Sequence, residues 1–218
     1  MTRIMKNIFK IFTKRFDFGN NEVNIPNNNK HIKIKIKGQN NKIIFSEDFP
    51  SDTKINIEIY GDNNIVDFGR VYGNIKIIIG YGWVKTNNSI FKCGSGRINE
   101  GKFVLLEDNT KIIIGNKCLF SWGIEFRCTD DHTIMDMAGN IINRATSIEI
   151  GDHVWIAKHV TVLKNSKIMK NSVIGCNSVV AKQFDKSNVV IAGNPAKIVK
   201  ENVQWDEKYI NEFNNEDI

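Results

Sequence analysis

The chain has 218 residues, 41% hydrophobic and 25% charged, with a formal net charge of +6. That length suits one large domain or two small ones, and the composition excludes a disordered chain. No apolar run approaches the ~18 residues of a membrane-spanning helix. The bias lies in 35 isoleucines and 29 asparagines against 3 prolines. Isoleucine is stiff at χ1 and favours strands, and asparagine tolerates the left-handed backbone region of tight corners. Many short strands joined by many turns are predicted.

Residues 1–16 carry five basic groups (Arg3, Lys6, Lys10, Lys14, Arg15) and no acid. Ile4, Ile8, Ile11, Phe12 and Arg15 recur at helical spacing, which predicts a basic helix or cap over residues 1–19. Its apolar stripe suits a plug for the open end of the following domain; the other reading is a weak peripheral contact of residues 1–16 with an anionic membrane surface. Residues 20–58 alternate like strands, as in Lys33-Ile34-Lys35-Ile36-Lys37, without a secure register. Acceptor selection is the role suggested for residues 17–58. Alternating lysines read as a solvated face. They lack the clustered basic and aromatic groups of a nucleic-acid groove, so no nucleic-acid partner is expected. An anionic small molecule or polysaccharide remains compatible.

Further on, Ile59, Ile65, Val71 and Ile77 fall six apart, as do Ile114, Phe120 and Phe126. From residue 150 the spacing is unbroken through Ile150, Ile156, Val162, Ile168, Ile174 and Val180, with Val154, Val160, Ser166, Ser172 and Ser178 four residues after the first five. A period of six is neither helical nor a plain strand. It makes one short strand plus one corner, and three such units close a triangular coil. An all-β solenoid of roughly seven to ten coils is therefore expected over residues 20–192. The repeat breaks between Asp131 and Ser147, which predicts a protruding loop over 131–147; a loop that long in a regular array is functional or disordered. Residues 193–218 are expected to form a turn and a helical tail.

Cys93, Cys118, Cys128 and Cys176 show no C-x-x-C spacing and no disulfide framework, which argues against a zinc knuckle. With no secretory signal at the start, they point to a reducing cytoplasm. Of the four histidines, His31 reads as surface, and His153 and His159 as solvated wall residues in outward slots. His132 differs, because it stands at the mouth of the loop beside Asp130 and Asp131. A carboxylate on one ring nitrogen would fix the tautomer and leave the other free to take a proton. Trp155 faces outward one residue before Ile156, as a wall aromatic, a subunit contact or a platform with an indole donor. Trp122 lies on a turn near His132 in sequence.

The segments Ser147-Ile148-Glu149-Ile150-Gly151-Asp152-His153-Val154-Trp155-Ile156-Ala157, Ser172-Val173-Ile174-Gly175-Cys176-Asn177-Ser178 and Ala192-Gly193-Asn194-Pro195-Ala196-Lys197 resemble those of the hexapeptide-repeat acyltransferases. Phe120-Ser121-Trp122-Gly123 followed by Thr129-Asp130-Asp131-His132 is most similar to the O-acetyltransferases of capsular or other surface polysaccharides. The resemblance implies a left-handed parallel β-helix, an exception to the usual crossover hand. It implies acetyl-CoA as acyl donor, no metal, a saccharide acceptor and a homotrimer with sites between subunits. It makes His132 the catalytic base and Asp130 its orienter, with Asp131 the other choice. Trp155, Trp122 and Asp131 are expected on the acceptor and oxyanion side. Trp155, Ala157, Gly175, Lys182, Pro195 and Lys197 are expected along the cofactor groove, the lysines meeting nucleotide phosphates. Ala157 and Met169 stand where the family often has glycine, so exact cofactor contacts differ. Serine or nucleotide-sugar acetylation on the same scaffold and a non-catalytic binding solenoid are the alternatives. A zinc hydrolase is disfavoured because His153 and His159 would need a third histidine from an unrelated coil.

Overall fold

The computed structural model describes residues 19–26 and 29–212, so the helix expected over 1–19 falls, but for Gly19, outside the described residues. From Ile148 onward the chain winds in coils of 18 residues: Glu149 lies opposite Lys167, Trp155 opposite Val173, and Thr161 opposite Val179, all in parallel. Ile150, Ile156, Val162, Ile168, Ile174 and Val180 are buried in the lumen, and Val154, Val160, Ser166, Ser172 and Ser178 are buried beside the corners. The six-residue pattern thus does what its period predicts.

Three faces result, and the architecture is the left-handed parallel β-helix. The first face is an eight-stranded sheet running from Glu22–Val23 through Lys42–Phe45, Ile65–Phe68, Ile90–Cys93, Lys111–Ile114, Ile148–Ile150 and Lys167–Ile168 to Gln183–Phe184, which gives eight rungs. The other two faces start as one sheet of long strands, Ile32–Lys37, Lys54–Tyr60, Val71–Ile79 and Gly96–Leu105. After Gly96–Leu105 this sheet divides. Cys118–Phe120, Trp155–Ile156, Val173–Ile174 and Val189–Gly193 continue as the second face, and Ile124–Arg127, Thr161–Leu163 and Val179–Val180 as the third. Gly73 (φ 131°) marks the bend, where a Cβ would lie 1.6 Å from the Ile98 carbonyl oxygen.

The N-terminal coils are longer. Lys42 pairs with Ile65, Ile65 with Ile90, and Ile75 with Gly101, separations of 23, 25 and 26 residues. A six-residue scan drifts there: Ile59, Val71 and Ile77 are buried, but Ile65 is half-exposed while Val66 and Phe68 point inward. Bigger coils enclose a wider lumen, and phenylalanine fills it. Phe45, Phe68, Phe91, Phe103 and Phe126 form a continuous column with successive centroids 4.9–5.4 Å apart.

Asparagine serves twice. Nine of the thirteen non-glycine residues with positive φ are asparagines, and Asn40, Asn63, Asn88, Asn109 and Asn165 each stand two residues before a strand of the first face. Beside them runs a buried amide ladder: Asn64 Nδ2 donates to Asn41 Oδ1 (3.0 Å), Asn41 Nδ2 to Asn21 Oδ1 (2.9 Å), and Ser89 N to Asn64 Oδ1 (2.9 Å). It takes the place in the long coils that small residues fill in the short ones.

The expected helical tail differs in the described residues. Ala196–Glu201 returns antiparallel to Val189–Gly193, and one 3₁₀ turn follows at Ile210–Glu212. The second face would otherwise end in a row of unpaired backbone groups, which a returning strand satisfies. No helix among the described residues is long and apolar enough to cross a membrane.

Candidate active site

The loop over 131–147 leaves the corner between the third and first faces, after Ile124–Arg127 and before Ile148–Ile150. It is a defined hairpin. Met135 bridges Ile141, Ile142 N donates to the Ile134 carbonyl (3.0 Å), and Asp136 Oδ1 accepts from the amides of Ala138 and Asn140. Its base is clamped: Glu107 accepts from Thr129 Oγ1 (3.2 Å) and from Ala145 N (3.1 Å). Lys164, one coil on, donates to both the Asp130 carboxylate and the Asn143 carbonyl.

His132 stands at this base and lines a cleft of about 400 Å³ with Tyr81, Trp83, Glu107, Asn143 and Arg144. The acids beside it are otherwise engaged. Asp130 accepts from Lys164 and from Asn143 Nδ2 (3.0 Å), and Asp131 pairs with Arg127. The Lys164 ammonium, followed by Asn143, holds the Asp130 carboxyl below the usual carboxylate range. Each carboxylate is taken by a cation within reach, so the orienting contact expected from Asp130 or Asp131 is not made in this structure. The His132 ring makes no hydrogen bond among the described residues; its backbone is set instead, its N–H on the Asp130 carbonyl (2.7 Å) and its carbonyl on Asn143 Nδ2 (2.8 Å).

The remaining expected residues lie elsewhere on the prism. Trp155 is on the second face, opposite the corner that carries His132. It borders a separate cleft of about 700 Å³, closed on its other side by residues 204–210. Trp205 reaches back to this face: its Nε1 donates to the His153 carbonyl (2.9 Å), its ring stacks on His153 at 4.1 Å, and it leans on Trp155 at 6.0 Å. His159 is exposed, as expected, whereas His153 is half-buried under Trp205, and both occupy left-handed corner positions.

Trp122 is exposed at the corner between the second and third faces and does not line the His132 cleft, whereas Asp131 does. Ala157 and Gly175 follow Ile156 and Ile174, which pair across coils, so the two stack on that same edge as expected. Ala192 follows Ile191 one rung on, and a Cβ at Gly175 would meet its methyl at 2.9 Å. Pro195 lies in the turn that continues this edge, and Lys197 is opposite Ala192. Lys182 lies on the next corner, over the ring of Phe184 (5.1 Å). Sequence reasoning missed Tyr81, Trp83, Glu107, Asn143, Arg144, Lys164 and Trp205. The acids and amides had no motif to mark them, and only aromatic content in an irregular stretch pointed to the tryptophans.

Comparison with known proteins bears on the family and the fold. The bacterial transferase hexapeptide signature (six repeats) matches residues 147–182. The polysialic acid O-acetyltransferase of Neisseria meningitidis is 31% identical over 192 residues, 87% of each chain. That of Escherichia coli O1:K1 / APEC is 41% identical over 104 residues, 47% of this chain and 34% of the relative. Among solved structures, the polysialic acid O-acetyltransferase OatWY superposes with a TM-score of 0.63 at 29% identity, covering 91% of this chain and 93% of the other. The polySia-specific acetyltransferase NeuO gives a TM-score of 0.67 at 23% identity over 84% and 92%, a likeness of fold.

Proposed function

Since the chain belongs to the hexapeptide-repeat acetyltransferases, in the group of polysaccharide O-acetyltransferases, we propose that it transfers the acetyl group of acetyl-CoA to a hydroxyl of a surface saccharide. One observation carries this reading. The break in the solenoid forms a hairpin whose base presents His132, its imidazole without a hydrogen bond among the described residues, to an open cleft.

The free His132 nitrogen takes the proton of the acceptor hydroxyl as its oxygen attacks the thioester carbonyl. The tetrahedral oxyanion then collapses, the carbon–sulfur bond breaks, and the imidazolium returns its proton to the departing thiolate. The products are the saccharide ester and free coenzyme A. No acyl-enzyme is needed when both substrates are bound together. The Lys164–Asp130–Asn143 brace fixes the backbone around His132 and is a positioning device, in place of a carboxylate on the ring.

The donor lies along the second face, where Trp155, the small edge of Ala157 and Gly175, and the Pro195–Lys197 turn give an extended thiol arm an unobstructed path. Within one chain that face and the His132 corner are on opposite sides of the prism. We therefore assign the active assembly as a homotrimer in which one subunit's His132 meets the next subunit's Trp155. The exposed apolar groups of the hairpin, Ile134, Met135, Met137 and Ile142, supply contact surface for such packing. Four unpaired cysteines suit a reducing cytoplasm. The direct test is incubation with acetyl-labelled acetyl-CoA and bacterial surface polysaccharide. Base-labile label in the polymer is the expected result, and donor hydrolysis with no label in any saccharide contradicts the reading.

A further inference from the structure

Thirteen non-glycine residues among those described have positive φ, and all but Asp131 and Asn202 sit one or two residues before a strand. There the left-handed residue is a corner of the coil. Asn202 lies in the tail, whereas Asp131 immediately precedes His132. Spacing sets Asp131 apart as well. From His153 to Asn177 the left-handed residue stands three before each inward residue, as His153 before Ile156 and Asn177 before Val180. Counted on from Phe126, that position is Thr129, two residues before Asp131. The turn at Asp131 therefore serves the loop and not the repeat.

Its local geometry is rare. The His132 N–H donates to the Asp130 carbonyl (2.7 Å), two residues back, and Asp131 between them has φ 65°. Such a hydrogen bond around a positive φ makes a γ-turn of the rarer, strained hand. A Cβ makes this conformation costly, and only glycine takes it freely. A strained turn persists where its surroundings over-determine it, and here backbone and side chain are both held. The Asp131 N–H donates to Thr129 Oγ1 (3.0 Å), which donates in turn to Glu107 (3.2 Å). The Asp131 carboxylate pairs with Arg127. Arg127 also donates to Glu125 Oε1 (3.0 Å), which accepts from Lys102 Nζ (3.0 Å) as well. The guanidinium that grips Asp131 is thus seated on the third face, where Ile124–Arg127 pairs with Gly96–Leu105.

We propose that Asp131 is a positioning residue, whose left-handed turn, gripped by Arg127, aims the His132 imidazole into the cleft. The residue that follows the turn is exposed and lines that cleft. Asp131 contributes shape, because its charge is taken up by Arg127. This role differs from the acceptor or oxyanion contact, and from the carboxylate on the ring, that the resemblance implied. The Lys164–Asp130–Asn143 brace holds the two limbs together; the Arg127–Asp131 grip sets the outgoing one. The assignment rests on His132 as the base proposed above and adds a residue that acts through it.

The test is steady-state kinetics of the full chain, with acetyl-CoA and the saccharide that accepts label in the assay above, on three variants at position 131. Asparagine tolerates the left-handed region and keeps an acceptor for Arg127, so Asp131→Asn should hold kcat close to that of the wild type. Asp131→Ala keeps the steric cost and loses the grip. It should lower kcat about ten- to a hundredfold with KM for acetyl-CoA unchanged. Asp131→Gly loses the grip but also the steric cost, and should fall between the two. Arg127→Gln should cost less in the Asp131→Ala background than alone, since both act through one contact. Position 131 lies outside the repeat, so assembly mass and coenzyme A binding should match the wild type throughout. An inactive Asp131→Asn would put the charge in place of the turn, and wild-type kcat in Asp131→Ala would make the turn dispensable. Either result overturns this role and leaves His132 as the base. Wild-type turnover in His132→Ala overturns the base and this role with it.

Discussion

Asp130 shows how a single charge can be readable and misread. Its place beside His132 was plain from the sequence, but its partner is Lys164, from the next coil, 34 residues on. Loop-borne neighbours in sequence need not face each other, and a lysine in an outward repeat slot carries no sign that it turns toward a loop. The pairing has a pH signature. A carboxyl whose folded pKa lies below its unfolded value near ~3.9 stabilises the folded form fully above that value and loses the contribution as pH falls through the lower, folded pKa. Protection of the amides across residues 131–147, relative to their intrinsic exchange rates, should therefore fall as pH drops below ~4, and Asp130→Asn should lower the same protection already at neutral pH. Equal exchange in both proteins at neutral pH contradicts the brace. The cysteines divide as sharply. Burial raises the thiols of Cys93, Cys118 and Cys128, to about 11 for Cys118 and about 12 for Cys128, whereas Cys176 is exposed next to Gly175 on the small-residue edge. Maleimide on the native protein should modify Cys176 alone, and coenzyme A should slow the reaction; labelling indifferent to coenzyme A argues against that edge as the donor groove.

The coils differ in how far their spacing could be read. Where a coil takes 18 residues, the inward series from Ile150 to Val180 follows from spacing, because every corner is built the same way. Where coils take 20 to 26, the extra residues fall at bends such as Gly73 and in turns such as Tyr81–Val84, and no fixed period survives. That is why the residues lining the His132 cleft stayed hidden, while Ala157 and Gly175 could be stacked from arithmetic. The asparagine excess was legible as corners but not as the interior ladder, since a buried amide and a turn amide are the same letter. Ile174→Ala should cost about 2–5 kcal/mol by removing a buried side chain from a tight lumen. Asn64→Leu should cost about 1–3 kcal/mol by taking the side-chain partner from the Ser89 N–H and the Thr86 carbonyl. Urea unfolding measures both; a ladder variant as stable as the wild type would show the amides to be dispensable.

A single prism holds His132 and Trp155 on opposite sides, the arrangement on which the proposal of an intersubunit site rests. The assembly can be probed by mixing. Chains carrying His132→Ala and chains carrying Trp155→Ala, each impaired alone, should regain activity when denatured and refolded together, because some interfaces then pair an intact His132 with an intact Trp155. Mixed trimers as inactive as either parent would place both groups in one subunit's site. Trp205→Ala belongs to the same picture: it removes the ring that stacks on His153 and walls the Trp155 cleft, and should weaken acetyl-CoA binding without changing the acceptor's KM.

The base itself is tested most directly by the rate of acetyl transfer from acetyl-CoA to a saccharide acceptor in His132→Ala. With His132 as the group that removes the hydroxyl proton, kcat falls by about 10²–10⁴ while coenzyme A binding and the assembly's mass are unchanged. A variant that turns over at the wild-type rate would assign the proton transfer to some other group.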